Sequence, residues 1–187
     1  MFYDFILNKA PLKILTLLSL HAREDLYERE ICKQTGLAVG TVNQVLKTFL
    51  EMGLVTVSRK GRMNFYRVSG NLPLIRHHRI WDNLLKAQSL VQSLKPHCLR
   101  IILFGSCAEG LDQHDSDFDL ALVSETPAEK LRKIIDRDKN LSGIVKPVIY
   151  SLSDYASLSK DDPSFYKELQ KGILLYEKGD LTDGDEL

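Results

Sequence analysis

The chain has 187 residues, 44% of them hydrophobic and 27% charged. That is the balance of an ordinary folded protein, which excludes disordered or fibrous classes and leaves room for two small domains. The 25 Lys and Arg residues match the 25 Asp and Glu residues, yet residues 1–97 hold 14 basic against 7 acidic side chains and residues 98–187 hold 11 against 18. A basic half joined to an acidic half predicts two domains, the first fitted to a polyanion, or else two domains that attract each other.

Cys32, Cys98 and Cys107 are odd in number and lack Cys-x-x-Cys spacing. They exclude a disulfide framework and a cysteine-based zinc signature, and they predict a reducing, cytoplasmic setting. The apolar run over residues 14–20 is too short for a membrane span, and Asp4 and Lys9 precede it, so no signal peptide and no membrane partner is expected.

From Pro11, the spacing of Leu12, Ile14, Leu15, Leu17 and Leu18 predicts an amphipathic helix ending near His21. A second helix fits residues 27–35, with Ile31 and Cys32 inward and Gly36 as its stop. After a short turn, Val42, Val45, Leu46, Phe49 and Leu50 mark one apolar helical face. The other face carries Thr41, Asn43, Gln44, Lys47 and Thr48, polar and free of acids, as entry into a major groove requires. Residues 54–57 begin a strand, Arg59, Lys60, Gly61, Arg62 and Asn64 a basic turn, and residues 65–68 a return strand.

Helix, turn, helix and basic hairpin together resemble the winged helix-turn-helix domains of transcriptional regulators, with residues 30–42 at the turn and residues 46–55 leading into the wing. The resemblance implies double-stranded DNA as a partner. Thr41, Asn43, Gln44 and Lys47 would face base edges or nearby phosphates, and Arg59, Lys60 and Arg62 the backbone or minor groove. Ala38 departs from the Ser or Thr that usually caps the recognition helix, a loss of about 0.5–2 kcal/mol.

Residues 73–94 contain no Gly or Pro after the first position and predict one long connecting helix. Ile80, Leu84, Ala87, Val91 and Leu94 fall on a heptad seam, which serves either a homodimer suited to palindromic operators or packing on the chain's own domains. His77 and His78 are adjacent and point to different faces, so no metal site is expected there.

Residues 99–104 form a short apolar run that ends in Gly105-Ser106, a core strand meeting a tight turn. A glycine there lets backbone N–H groups approach a triphosphate, and a following helix N-terminus favours negative charge. Asp117 and Asp119 open a second apolar run, and in a strand two such residues share a face, about 6.5–7 Å apart. Carboxylates at that separation can share divalent ions, with Mg²⁺ suited to hard oxygen ligands. The intervening Asp112, Gln113, His114 and Asp115 read as a solvated loop.

Leu103-Phe104-Gly105-Ser106, Gly110 and Asp115-Ser116-Asp117-Phe118-Asp119-Leu120 resemble the minimal nucleotidyltransferases of the DNA polymerase beta-like superfamily, over about residues 98–178. The resemblance implies an NTP, ATP first, with Mg²⁺ as cofactor. It implies Gly105 and Ser106 at the nucleotide phosphates, Asp117 and Asp119 as catalytic metal ligands, and transfer of a nucleoside monophosphate to an acceptor, a protein among the candidates. It also implies a third acid on a later strand, where this chain has Lys146 or Pro147 according to register, and Arg near positions now held by Cys107 and Glu109. Pro147 places that strand at a sheet edge, and Ser153-Asp154 reads as the cap of the next helix.

The expected fold is α+β: a winged helix over residues 1–70, a helical connector over 71–97, a nucleotidyltransferase-type mixed sheet with flanking helices over 98–180, and an acidic tail over 181–187. Two functions follow, a DNA-binding nucleotidyltransferase, or a transcriptional regulator whose second domain only binds nucleotide or a protein partner.

Overall fold

The computed structural model describes residues 8–69 and 72–179; the expected acidic tail lies outside the described residues. The chain divides into two compact units, one running to Arg79 and including Gln113–Asp115, the other formed by Ile80–Asp112 and the residues from Ser116 onward.

In the first unit, α1 (Lys9–Leu20), α2 (Glu28–Thr35) and α3 (Val39–Glu51) pack on a three-stranded antiparallel sheet of order β1-β3-β2. Its strands are β1 (Leu26–Tyr27), β2 (Val55–Lys60) and β3 (Met63–Val68). The predicted apolar face of α3 is the buried one: Val42, Val45, Leu46 and Phe49 meet Ile14, Leu15, Leu18 and Ile31 in the core. Ala38 is the N-cap of α3 and supplies no side-chain hydrogen bond, its carbonyl accepting from the Val42 N–H at 3.0 Å.

The wing differs in extent from its sequence reading. Arg59 and Lys60 lie in β2, and Arg59 pairs with Asn64 of β3, so the tip is only Gly61-Arg62. Cross-strand pairing outweighs the polar composition that marks a turn.

The long helix is present as α4 (Pro73–Leu94). It gives Ile75 to the first core, and Ala87, Leu90, Val91 and Leu94 to the second, with Leu84 packed against them. The heptad seam is therefore used largely inside the chain, and a homodimer would need another face.

The second unit is built on a four-stranded mixed sheet of order β6-β5-β4-β7, comprising β4 (Arg100–Leu103), β5 (Phe118–Val123), β6 (Val145–Tyr150) and β7 (Ile173–Glu177). β4 runs antiparallel to β5 and β7, while β5 and β6 are parallel. β6 is an edge strand, as Pro147 requires. On one face Phe118, Leu120 and Leu122 pack under α4 and α6 (Ala128–Asp136). On the other, Ile102, Phe104 and Ala121 pack under Leu158 of α7 (Leu152–Asp161) and Leu169 of α8 (Pro163–Gln170). Ser151, not Ser153, caps α7, its hydroxyl accepting from the Asp154 N–H at 3.1 Å. No helix among the described residues is long and apolar enough to cross a membrane.

Candidate functional site

Gly105 begins α5 (Gly105–Glu109) directly after β4, with φ at +67°, the left-handed region that glycine enters without penalty. A Cβ on Gly105 would lie 2.6 Å from Oδ2 of Asp119, so only glycine lets the turn come this close to the carboxylate. The Phe104 N–H donates to the Asp119 carbonyl at 3.1 Å, which fixes the turn against β5. The N–H groups of a helix's first turn, here those of Gly105 and Ser106, have no intrahelical partner.

The side-chain alternation of β5 sends Asp119 and Ala121 to the face covered by α7 and α8, opposite Phe118 and Leu120. Asp117 precedes the strand rather than lying in it. Its carbonyl accepts from the Cys107 thiol at 3.4 Å, which holds it beside α5.

The parallel register resolves the choice between Lys146 and Pro147. Lys146 stands opposite Asp119, and its Nζ lies 3.8 Å from Asp117 Oδ1, with both side chains more than half exposed. Lys146 thus occupies the position at which the resemblance places a third acid.

The charge of a third carboxylate, from elsewhere in the chain, acts on the site. The Asp119 carboxyl is pushed above the usual carboxylate range, first by burial, then by the charges of Asp117 and Glu168, against a smaller opposing effect of Lys146. Glu168 sits on α8 next to Leu169, whose burial beneath Phe104 and Ala121 anchors that helix over the same face. Nothing local in the sequence marks Glu168; it follows only from the register of Phe165 and Leu169 on α8.

A second layer fixes the turn. Asn83 of α4 is buried, and its Nδ2 donates to the Cys107 carbonyl at 3.1 Å and to Asp112 Oδ1 at 2.9 Å. Asp112 is likewise buried, which corrects its reading as part of a solvated loop.

In the first unit, Asn43, Gln44 and Lys47 are exposed on α3 with Thr41 half-buried beside them, and Arg59, Lys60 and Arg62 are exposed on the wing. Asp25 braces the wing. It takes Lys60 at 3.1 Å and Arg67 at 2.9 Å, and these partners, the Lys60 hydrogen bond foremost, hold its carboxyl below the usual range. The Lys60 ammonium also lies over the Phe65 ring, 4.8 Å from its centroid.

Burial and like charges raise the folded-state pKa of Asp119, so its contribution to stability is present at low pH and lost as the pH rises through that value. In metal-free buffer at pH 7, Asp119→Asn is expected to melt above the wild type. The gap should narrow as the pH falls below the carboxylate range, and a scanning-calorimetry series over pH measures it.

A comparison with curated proteins finds no match. A Helix-turn-helix domain model matches residues 29–66. Among solved structures, the chain is similar to one provisionally described as a nucleotidyltransferase from Sulfolobus solfataricus, at 16% identity and a TM-score of 0.38, covering 55% of this chain and 87% of that one. The Polymerase beta, Nucleotidyltransferase model matches residues 86–180, about half of the chain and all four strands of the second sheet. The chain belongs to the polymerase beta nucleotidyltransferase family.

Proposed function

We propose that the chain is a cytoplasmic DNA-binding nucleotidyltransferase that moves a nucleoside monophosphate from an NTP, ATP foremost, to an acceptor, with a protein among the candidates. The observation that carries this reading is the gathering of carboxylates at the Gly105 turn: a Cβ there would lie 2.6 Å from the Asp119 carboxylate, the Cys107 thiol holds Asp117 beside the turn at 3.4 Å, and the like charges of Asp117 and Glu168 act on Asp119. Such a site asks for cations.

The donor set fits Mg²⁺, since it consists of hard carboxylate oxygens. Asp117 and Asp119 would hold the ions, with Glu168 in the part of the third acid. When bound, such ions neutralise charge on the transferring phosphoryl group and lower the pKa of the attacking hydroxyl. The Lys146–Asp117 pair is no obstacle, because an exposed ion pair contributes about 0–1 kcal/mol and yields to a divalent competitor.

The chain's own groups do the rest. Gly105 and Ser106 present backbone N–H groups and a hydroxyl to the phosphates, aligning the α-phosphorus with the acceptor. Asn83 and Cys107 hold that turn and Asp117 in register. The helix-turn-helix unit would place this activity on double-stranded DNA, with Asn43, Gln44 and Lys47 at base edges or phosphates and Arg59, Lys60 and Arg62 at the backbone.

A second reading rests on the Lys146 ammonium beside Asp117: a transcriptional regulator that binds nucleotide without chemistry. Incubation with α-labelled NTP and Mg²⁺ separates the two. Label transfer and pyrophosphate release that vanish in Asp117→Asn and fall at least about a hundredfold in Glu168→Gln support the enzyme. Nucleotide bound with no label moved and no pyrophosphate released assigns the regulator.

For the wing, replacing Arg59, Lys60 and Arg62 together with Ala should shallow the log–log dependence of DNA affinity on salt by about 0.9 per lost phosphate contact. An unchanged slope in a fluorescence-anisotropy titration removes the wing from the interface.

A further inference from the structure

The geometry points to a second metal site, formed by His21, Glu24 and His114, for a zinc-class transition ion. Its donors differ in kind from the proposed catalytic carboxylates.

The local fold brings the first two donors together. His21 closes α1, its N–H donating to the Leu17 carbonyl at 3.2 Å, and the Glu24 N–H donates back to the His21 carbonyl at 2.9 Å. That turn sets His21 Nδ1 3.2 Å from Glu24 Oε2. His114 belongs to the Gln113–Asp115 segment of the same compact unit. Its Nδ1 lies 3.7 Å from Glu24 Oε1, and its ring stacks on that of His21 with centroids 4.8 Å apart and planes 13° from parallel. One donor atom from each of the three residues falls within 4.8 Å of the other two.

Zinc bonded to nitrogen and oxygen at about 2.0–2.1 Å has tetrahedral donor–donor edges of about 3.3 Å. The Glu24 carboxylate already approaches both rings, Oε2 lying 3.2 Å from His21 Nδ1 and Oε1 lying 3.7 Å from His114 Nδ1. One donor atom from each residue, now within 4.8 Å of the others, has to close to that edge, and the His114 and Glu24 side chains are half exposed, so they can turn to do so.

The second observation concerns His21. Its Nδ1 is buried and makes no hydrogen bond, because the nearby Glu24 oxygen is close enough for one but not aligned for it. A buried polar atom left unsatisfied costs about 1–3 kcal/mol. A metal–nitrogen bond satisfies that lone pair, and an ion pair with Glu24 alone does not.

The chemistry selects the ion. Two imidazoles and one carboxylate suit Zn²⁺ and its neighbours, whereas Mg²⁺ prefers an all-oxygen shell. Three protein ligands leave a fourth position for water or an incoming ligand.

Equilibrium dialysis of the full chain against Zn²⁺ tests the proposal, run in parallel on an Asp117→Asn/Asp119→Asn chain so that those carboxylates cannot hold the ion. One zinc per chain is expected in both, with affinity at least about tenfold weaker once His114→Ala is added. Glu24→Gln should weaken it likewise, and both side chains are exposed enough for the fold to survive, which the melting curve checks. Co²⁺ in place of Zn²⁺ should give a visible tetrahedral spectrum that His114→Ala abolishes. Zinc binding that is absent from the wild type, or unchanged by both His114→Ala and Glu24→Gln, overturns the proposal.

Discussion

Gly105 stands where β4 ends and α5 begins, and the missing Cβ brings that turn against Asp119. With a Cβ 2.6 Å from the carboxylate oxygen, either the turn or the acid would have to move. The rest of the second unit maintains this approach. The Phe104 N–H ties the turn to β5, Asn83 ties α5 to α4, and the Cys107 thiol holds the Asp117 backbone. At the same end of β4, a Cβ on Gly172 would lie 2.6 Å from the Leu103 carbonyl, so the chain leaving α8 enters β7 just as closely beside β4. The result is a glycine turn held directly against a carboxylate, with Asp117 fixed beside it.

Holding that arrangement costs stability. Asp119 is partly desolvated and has Asp117 and Glu168 for neighbours, so its charged form is disfavoured. A fold optimised only for stability would place an amide or an apolar group there. The core beneath supplies the compensation: Ile101, Leu103, Leu120 and Leu122 are fully buried in the two central strands. In the first unit the economy is reversed. Its core holds three helices on a small sheet, and its charged groups stand at the surface, where Asp25 pairs with Lys60 and Arg67 of the two wing strands.

Much of this was legible in the sequence, because the features concerned are local. The 3.6-residue period of Val42, Val45, Leu46 and Phe49 fixes which face of α3 is buried. Gly-Ser after an apolar run, followed by Asp-x-Asp, marks the second unit. Other features depend on residues meeting across the fold, which no local pattern encodes. Glu168 arrives 49 positions after Asp119 on another element. Asp112 looks like loop but is buried by its bond to Asn83. The choice between Lys146 and Pro147 needed the register of two parallel strands. The heptad seam of α4 was visible, but its partner was not: the seam's periodicity is the same whether it meets a second copy or its own sheet.

The central claim is that the Gly105 turn and the carboxylates facing it form one nucleotide–metal site. Isothermal titration of the full chain with ATP, in the presence and absence of Mn²⁺, tests it most directly. The account predicts saturable ATP binding that strengthens with Mn²⁺ in the wild type and loses that strengthening in Asp119→Asn. ATP binding that ignores both the metal and the Asp119 substitution would contradict it.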